Sequence, residues 1–312
     1  MMRVITFGYQ TWGHRTLSAV LESRHEVVLA VTHPPSDNPY EQMWSDSVEE
    51  LARQHGVPVH IAKRPDAALL DAVRAANADI IVANNWRTWL PAEIYNAPRL
   101  GTLNIHDSLL PKYAGFSPLI WALINGDSHV GVTAHLMDEG LDTGPVIGQQ
   151  SVPVGPKDRT VDLFHRTIDV IAPLVLNALD SLEDGTAQTI EQDLSQASYF
   201  HKRAEQDSHI DWTWPADAIE RLVRAQSDPY PNAFAFHGGK RLRILEADVS
   251  RGRFGGTPGR FSIEAEGGVV VVAGPDAWRG RNPAVILKRL RLDDGTEVPA
   301  AEYFAGRGGY LS

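Results

Sequence analysis

Five short apolar runs separated by helical stretches open the chain: RVITF (3–7), EVVLAVT (26–32), VPVH (57–60), DIIVA (79–83) and TLNIH (102–106). They are rich in β-branched residues and apolar almost throughout, the pattern of strands buried on both faces. Between them, an amphipathic stretch beginning near Thr11, DSVEELARQHG (46–56) and DAALLDAVRAANA (66–78) read as helices. Strands separated by helices of this length imply βαβ units and a parallel sheet covered on both sides. SPLIWALING (117–126), VGVTAHLM (130–137) and RTVDLFHRTIDVIAPLVLNALDSLEDG (159–185) continue as a helix, a strand and a long helix ending at Gly185. The expected fold class is α/β, a doubly wound, Rossmann-like, mostly parallel sheet.

The pattern changes near residue 200. Gly and Pro become frequent, and RLRILEADV (241–249), GRFSIEA (259–265), GGVVVVAG (267–274) and AVILKRLRL (284–292) read as strands bounded by turns, after one helix, PADAIERLVRAQ (215–226). Close strands with glycine turns suggest a small β-rich, barrel-like (OB-like) domain. At 312 residues the chain suits two domains, 1–200 and 201–312.

Composition limits function. No apolar run approaches the roughly 18 residues of a membrane span, and MMRVITFGYQTWG lacks the features of a signal peptide. The chain has no cysteine, which excludes thiol nucleophiles, disulfides and cysteine-bound metals and fits a reducing, cytoplasmic setting. A formal net charge of −10 leans against a nucleic-acid partner, because phosphate binding usually needs a basic face. After the first strand, FGYQTWGHRT has Gly8 and Gly13 but no G-x-G-x-x-G, so the sheet alone does not imply a dinucleotide.

The polar residues of TLNIH are the candidates for chemistry. Asn104 and His106 stand two apart on a strand and therefore share a face. The loop Ser108-Leu109-Leu110-Pro111 follows, at the strand end where open α/β sheets place ligands. Asp142, in the turn 138–144, is a third candidate. An amide, an imidazole and a carboxylate at one edge would supply an oxyanion donor, a proton acceptor and a group that tunes it. Spacing alone leaves core and catalytic readings both open. His135, inside VGVTAHLM, reads as an ordinary core histidine.

The stretch GTLNIHDSLLPKYAGFSPLIWALINGDSHVGVTAHLMDEGLDTGPVI (101–147) resembles the catalytic segment of the 10-formyltetrahydrofolate-dependent formyltransferases. Asn104, His106, Ser108 to Pro111 and Asp142 match that family's Asn-x-His, Ser-Leu-Leu-Pro and Asp motif, and IDWTWPADAIERLVRAQSDPYPNAFAF (210–236) resembles its junction to a C-terminal barrel. The resemblance implies formyl transfer to a nitrogen nucleophile, with Asn104, His106 and Asp142 catalytic, 10-formyltetrahydrofolate as co-substrate and no metal. It places the pterin between the loop after DIIVA (Asn85, Trp86, Arg87, Thr88) and the turn of Asp138, Glu139, Gly140 and Leu141, with Leu109 and Pro111 nearby. Ordinary packing is the stronger reading for the Trp86 and Trp89 rings.

FGYQTWGHRTL (7–17), THPPSDNPYEQMW (32–44) and NNWRTWLP (84–91) look most like formyltransferases of hydroxamate-siderophore pathways. That likeness implies a small-molecule acceptor, N5-hydroxyornithine, and makes a nucleic-acid partner unlikely. The segment 33–50 has five acidic residues and no Lys or Arg, so it could hold a cationic α-amine. A nucleotide-linked amino sugar and methionyl-tRNA are the next acceptors. A formyltetrahydrofolate hydrolase or a non-catalytic folate-binding protein is the alternative of another class. Basic clusters at Arg241 to Arg243 and Lys288 to Arg291 read as solvated strand edges.

Overall fold

The chain begins with alternating strands and helices: β1 (Arg3–Gly8), α1 (Gln10–Leu21), β2 (Glu26–Thr32), α2 (Val48–Gln54), β3 (Val59–Ile61), α3 (Ala67–Ala76), β4 (Ile80–Asn84), α4 (Ala92–Tyr95) and β5 (Thr102–His106). There follow β6 (Ala114–Gly115), α5 (Pro118–Asn125), β7 (His129–Leu136), β8 (Val146–Pro153), α6 (Thr160–Glu183) and β9 (Tyr199–Phe200). The computed structural model describes residues 1–36 and 43–312, so residues 37–42 of the acidic segment lie outside the described residues. Contacts divide the chain into two units, one of Met1–Leu119, His129–Pro153 and Phe164–His201, the other of Ile120–Ser128, Val154–Leu163 and Lys202–Ser312.

The first unit is built on a seven-stranded sheet of order β3-β2-β1-β4-β5-β7-β8. Strand order reverses between β1 and β4, the switch point of a doubly wound sheet. Ile5, Phe7, Val31, Ile81 and Ala83 pack one face against Leu69 and Val73 of α3. Ala30 meets Leu17 of α1 and Val48 and Ala52 of α2 on the other. Full burial of such side chains stabilises by roughly 2 kcal/mol each. Helices α3 and α2 start where side chains cap them: Asp66 Oδ1 accepts from Leu69 N–H at 2.8 Å, and Ser47 Oγ accepts from Glu50 N–H at 3.1 Å.

Strands β1 to β5 are parallel, as their apolar runs predict. β7 instead enters antiparallel to β5, and β8, a strand not anticipated, pairs antiparallel with β7. β8 has little buried surface and hence little apolar signal. Of the five acids in 33–50, Glu49 and Glu50 occupy the first turn of α2, where they complement the helix dipole, and Glu49 pairs with Arg53.

The second unit contains α7 (Ala216–Ala225), β10 (Ala233–His237), β11 (Lys240–Phe254), β12 (Arg260–Ala265), β13 (Gly268–Val271), β14 (Asn282–Arg291), β15 (Glu297–Pro299), α8 (Ala300–Phe304) and β16 (Gly309–Tyr310). Its antiparallel sheet runs β10-β11-β14-β13-β12-β16, with β15 on β14. Gly238 and Gly239, both at positive φ, form the tight β10–β11 hairpin. Phe236 of β10 and Ser312 exchange backbone hydrogen bonds of 2.7 and 3.0 Å, so the sheet is nearly closed as a barrel. Both basic clusters are ion-paired: Arg241 and Arg243 with Glu205, Lys288 with Asp248, Arg289 with Glu297, and Arg291 with Asp228 and Glu297.

Candidate active site

β5 runs between β4 and β7, so Asn104 and His106 are buried, at 9% and 8% exposure, with their side chains at the sheet's carboxyl edge. The chain then turns sharply. Thr133 Oγ1 donates to Ser108 O at 2.6 Å and accepts from Leu110 N–H at 3.2 Å, and Gln149 Nε2 donates to Leu110 O at 3.0 Å. These bonds hold the Ser108–Pro111 loop, whose Leu110–Pro111 peptide is cis. Leu109 packs on Gly131, where a Cβ would lie 2.4 Å from Leu109 Cδ2.

The loop returns to the histidine. His106 Nε2 lies 2.9 Å from the Tyr113 carbonyl, which can only accept, so Nε2 carries the hydrogen. Nδ1 is left facing Asp142 Oδ2 at 3.7 Å. Asp142 Oδ2 also accepts from Gly115 N–H at 2.8 Å, and Oδ1 accepts from Asn104 Nδ2 at 3.3 Å. Asn104, His106 and Asp142 are thus brought together, 38 residues of sequence separating the first from the last.

His135 belongs with them. It is fully buried, as a core histidine should be, but antiparallel pairing sets it directly across from Asn104. Its Nδ1 faces Leu136 O at 3.0 Å, which places the hydrogen there. Nε2 then accepts from Asn104 Nδ2 at 3.0 Å and stands 3.7 Å from Asp142 Oδ1. The core reading was incomplete because strand direction, a long-range property, decides what faces the side chain. A histidine two residues after Thr133 on the same strand was the available signal.

Burial pushes the Asp142 carboxyl up, but the charge of His106, the proximity of His135 and the Gly115 N–H outweigh it and hold the group well below the usual carboxylate range. Asp142 sits at φ 56°, a left-handed conformation that Asp tolerates. Turn shaping belongs to Asp138, whose Oδ1 accepts from Gly140 N–H at 2.9 Å and Thr143 Oγ1 at 2.7 Å. Glu139 and Leu141 are exposed.

On the other side, Asn85 Nδ2 donates to Tyr9 O at 3.1 Å, and Arg87 Nη2 donates to Gln10 Oε1 at 3.0 Å. The Trp86 ring stacks on His33 at 4.0 Å and meets Phe7 edge-on at 5.1 Å, so it packs as expected. Trp89 does not, being 61% exposed. Trp86 and Met137 pack against the same core cluster, which brings the β4 loop and the β7 turn together. The Trp86 Nε1 and Thr88 Oγ1 atoms are buried without a hydrogen-bond partner among the described residues.

Asp107, beside His106, is forced by burial to about 7, although the His106 charge and the Trp12 indole favour its anion. An unfolded Asp titrates near about 4. The native state therefore holds the extra proton between those values, and stability falls as pH rises across that window. Asp107→Asn is expected to be more stable than the parent at pH 8, by on the order of 1 kcal/mol or more, and equal to it near pH 4. Urea titrations at the two pH values measure the difference.

The chain is similar to known proteins over nearly its whole length. A family model described as "Formyl transferase" matches residues 2–179, and one described as "Formyl transferase, C-terminal domain" matches residues 202–308. A methionyl-tRNA formyltransferase of Lachnospira eligens is 39% identical over 253 residues, 80% of this chain and 79% of that protein. One of Pseudomonas syringae pv. syringae is 34% identical over 310 residues, 98% of this chain and 95% of that protein. The N-formyltransferase of Helicobacter canadensis, solved with folinic acid and dTDP-3-aminofucose, is similar in fold at a TM-score of 0.68 and 18% identity, over 92% of this chain and 99% of that one. From its first strand to its C-terminal sheet, the chain belongs to the formyl transferase family.

Proposed function

We propose that the chain moves the formyl group of 10-formyltetrahydrofolate onto an amine-type nitrogen at the Asn104–His106–Asp142 cluster. The observation that carries this reading is the orientation of His106. With Nε2–H committed to Tyr113 O, the ring takes a proton at Nδ1, where Asp142 stands 3.7 Å away to stabilise the imidazolium. The incoming nitrogen loses its proton to Nδ1 as it bonds to the formyl carbon. When the bond from that carbon to N10 breaks, His106 returns the proton to the departing N10. Asn104 Nδ2 supplies the donor for the developing oxyanion by releasing its longer bond, the 3.3 Å contact to Asp142, while His135 keeps the amide oriented.

Folate fits the same edge. Trp86 Nε1 and Thr88 Oγ1, without partners among the described residues, offer donors in the loop 85–88, and the backbone of Asp138–Leu141 lies in the turn that carries Asp142. Asn85 and Arg87 hold the first loop in shape. Leu109 and Pro111, in the loop that follows β5, would wall it on that side.

For the acceptor, the names of the curated relatives favour the amino group of methionyl-tRNA. They lend no support to the hydroxyornithine acceptor or to the exclusion of nucleic acid. A small hydroxylamine such as N5-hydroxyornithine remains the second reading, on a specific observation. Both basic clusters of the second unit are already paired with acids, and the segment 33–50 carries no Lys or Arg. Phosphate contacts supply much of any tRNA affinity.

Methionyl-tRNA, N5-hydroxyornithine and a nucleotide-linked amino sugar should be offered in turn, with the product weighed by mass spectrometry. Tetrahydrofolate release is followed with and without each acceptor. A gain of one formyl group on a single acceptor is the expected result. Release independent of every acceptor would mean a hydrolase, and folate binding without release a binding protein; either outcome overturns transfer.

A further inference from the structure

The segment between α6 and the second unit has no long element, yet it ties the site together. After Gly185 the chain pairs Ile190 with Val146 through reciprocal backbone bonds of 2.8 and 2.9 Å. Two residues on, Gln192 Nε2 donates to Asp142 O at 2.9 Å and to Gly144 O at 2.7 Å. The segment then reaches the loop that follows His106. Tyr113 N–H donates to Ser198 Oγ at 2.9 Å, Ala114 N–H to Ser198 O at 2.8 Å and Phe116 N–H to Phe200 O at 2.9 Å. β9 pairs with β6, and the Phe200 ring stacks on Tyr113 at 5.0 Å.

Three points along this segment meet residues that touch the cluster. Tyr113 offers the carbonyl that holds His106, Gly115 offers the N–H that holds Asp142, and Gln192 holds the backbone of Asp142 itself. We propose that Gln192 is a positioning residue for formyl transfer, clamping the left-handed Asp142 turn so that its carboxylate faces His106. This inference rests on the catalytic reading of Asp142.

The chemistry of the clamp is specific. Two carbonyl oxygens need two N–H donors from one side chain, and among uncharged side chains only an amide supplies both. A glutamate has the same length but presents oxygen to oxygen. Gly144 cannot be replaced to stiffen the turn in another way, because a Cβ there would lie 1.9 Å from Leu136 O.

Gln192→Met keeps the length and apolar stem but removes both donors. Misplacing a catalytic group by about 1 Å can cost up to about 10²-fold, and here the turn keeps its Gly115 anchor. Gln192→Met and Gln192→Glu are therefore each expected to lower kcat about tenfold, with tetrahydrofolate binding and Tm close to the parent. The Asp142 carboxyl, followed by carbon-13 NMR, should titrate at higher pH in Gln192→Met. Adding Gln192→Met to Asp142→Asn should slow single-turnover transfer no further.

Parent-like kcat in Gln192→Met alongside a slow Asp142→Asn sinks the clamp alone. A parent-like rate in Asp142→Asn sinks the catalytic reading and the clamp with it. Additive losses in the double variant, or a loss accompanied by weakened folate binding and lowered Tm, make Gln192 an ordinary structural residue.

Discussion

Asn104→Ala is expected to slow formyl transfer by about 10²–10³ and His106→Ala by about 10²–10⁴, with folate binding retained in both. The losses differ in origin. Without Asn104 the developing oxyanion has no side-chain donor from β5, and His135 Nε2 and Asp142 Oδ1 each lose a bond. Without His106 the nitrogen's proton has no acceptor beside Asp142, and the Tyr113 carbonyl loses its donor. Because the two residues serve one transition state, the double variant should be far less impaired than the product of the single losses. Rates within about threefold of the parent in single-turnover assays would sink the assignment. Asp142 sets what the pH profile can contain. Its folded carboxyl lies below the unfolded value, so its contribution to stability is complete above about pH 5 and fades as pH falls through the folded value. Any acid limb between pH 5 and 8 therefore belongs to another group.

The parallel half of the sheet was legible because RVITF, EVVLAVT and DIIVA are apolar on both faces, a local property visible residue by residue. β8 was not, since VIGQQSVP lies at the sheet edge with three successive exposed residues, and its hydrogen bonds need no apolar code. The site divides in the same way. Asn104 and His106 share a face by strand periodicity alone, and the family motif supplied Asp142. His135 required knowing that β7 runs antiparallel to β5, and Gln192 acts through its side chain on the backbone of residues 50 and 48 positions earlier. Such contacts leave no periodicity. Asp138 and Asp142 share one turn, yet only the backbone path shows that the first shapes it and the second faces the histidine.

Gly13→Ala is expected to be strongly destabilising. Gly8 ends β1 and Gly13 lies in the first turns of α1, and their backbones touch. A Cβ on Gly13 would lie 2.5 Å from both Gly8 Cα and Gly8 C, with Val48 Cγ2 at 3.2 Å behind it. No side chain can rotate away from a backbone clash, so α1 must move off the sheet. Gln10 Oε1, which accepts from Arg87 Nη2 in the loop after β4, would shift with the helix. Overpacking costs typically 1–3 kcal/mol, and a contact this short against rigid backbone belongs at the upper end, about 3 kcal/mol. For a domain of this size that lowers Tm by roughly 6–12 °C. Gly56→Ala is the control. Gly56 has a positive φ of 71° but nothing within 4 Å of the added carbon, so only the left-handed backbone resists, at a cost of about 1 kcal/mol. If thermal denaturation ranks the two variants equally, the close approach at Gly13 carries no special cost. If Gly13→Ala falls several degrees further and also weakens tetrahydrofolate binding, the glycine pair is what seats α1 against the edge of the sheet where the site is built.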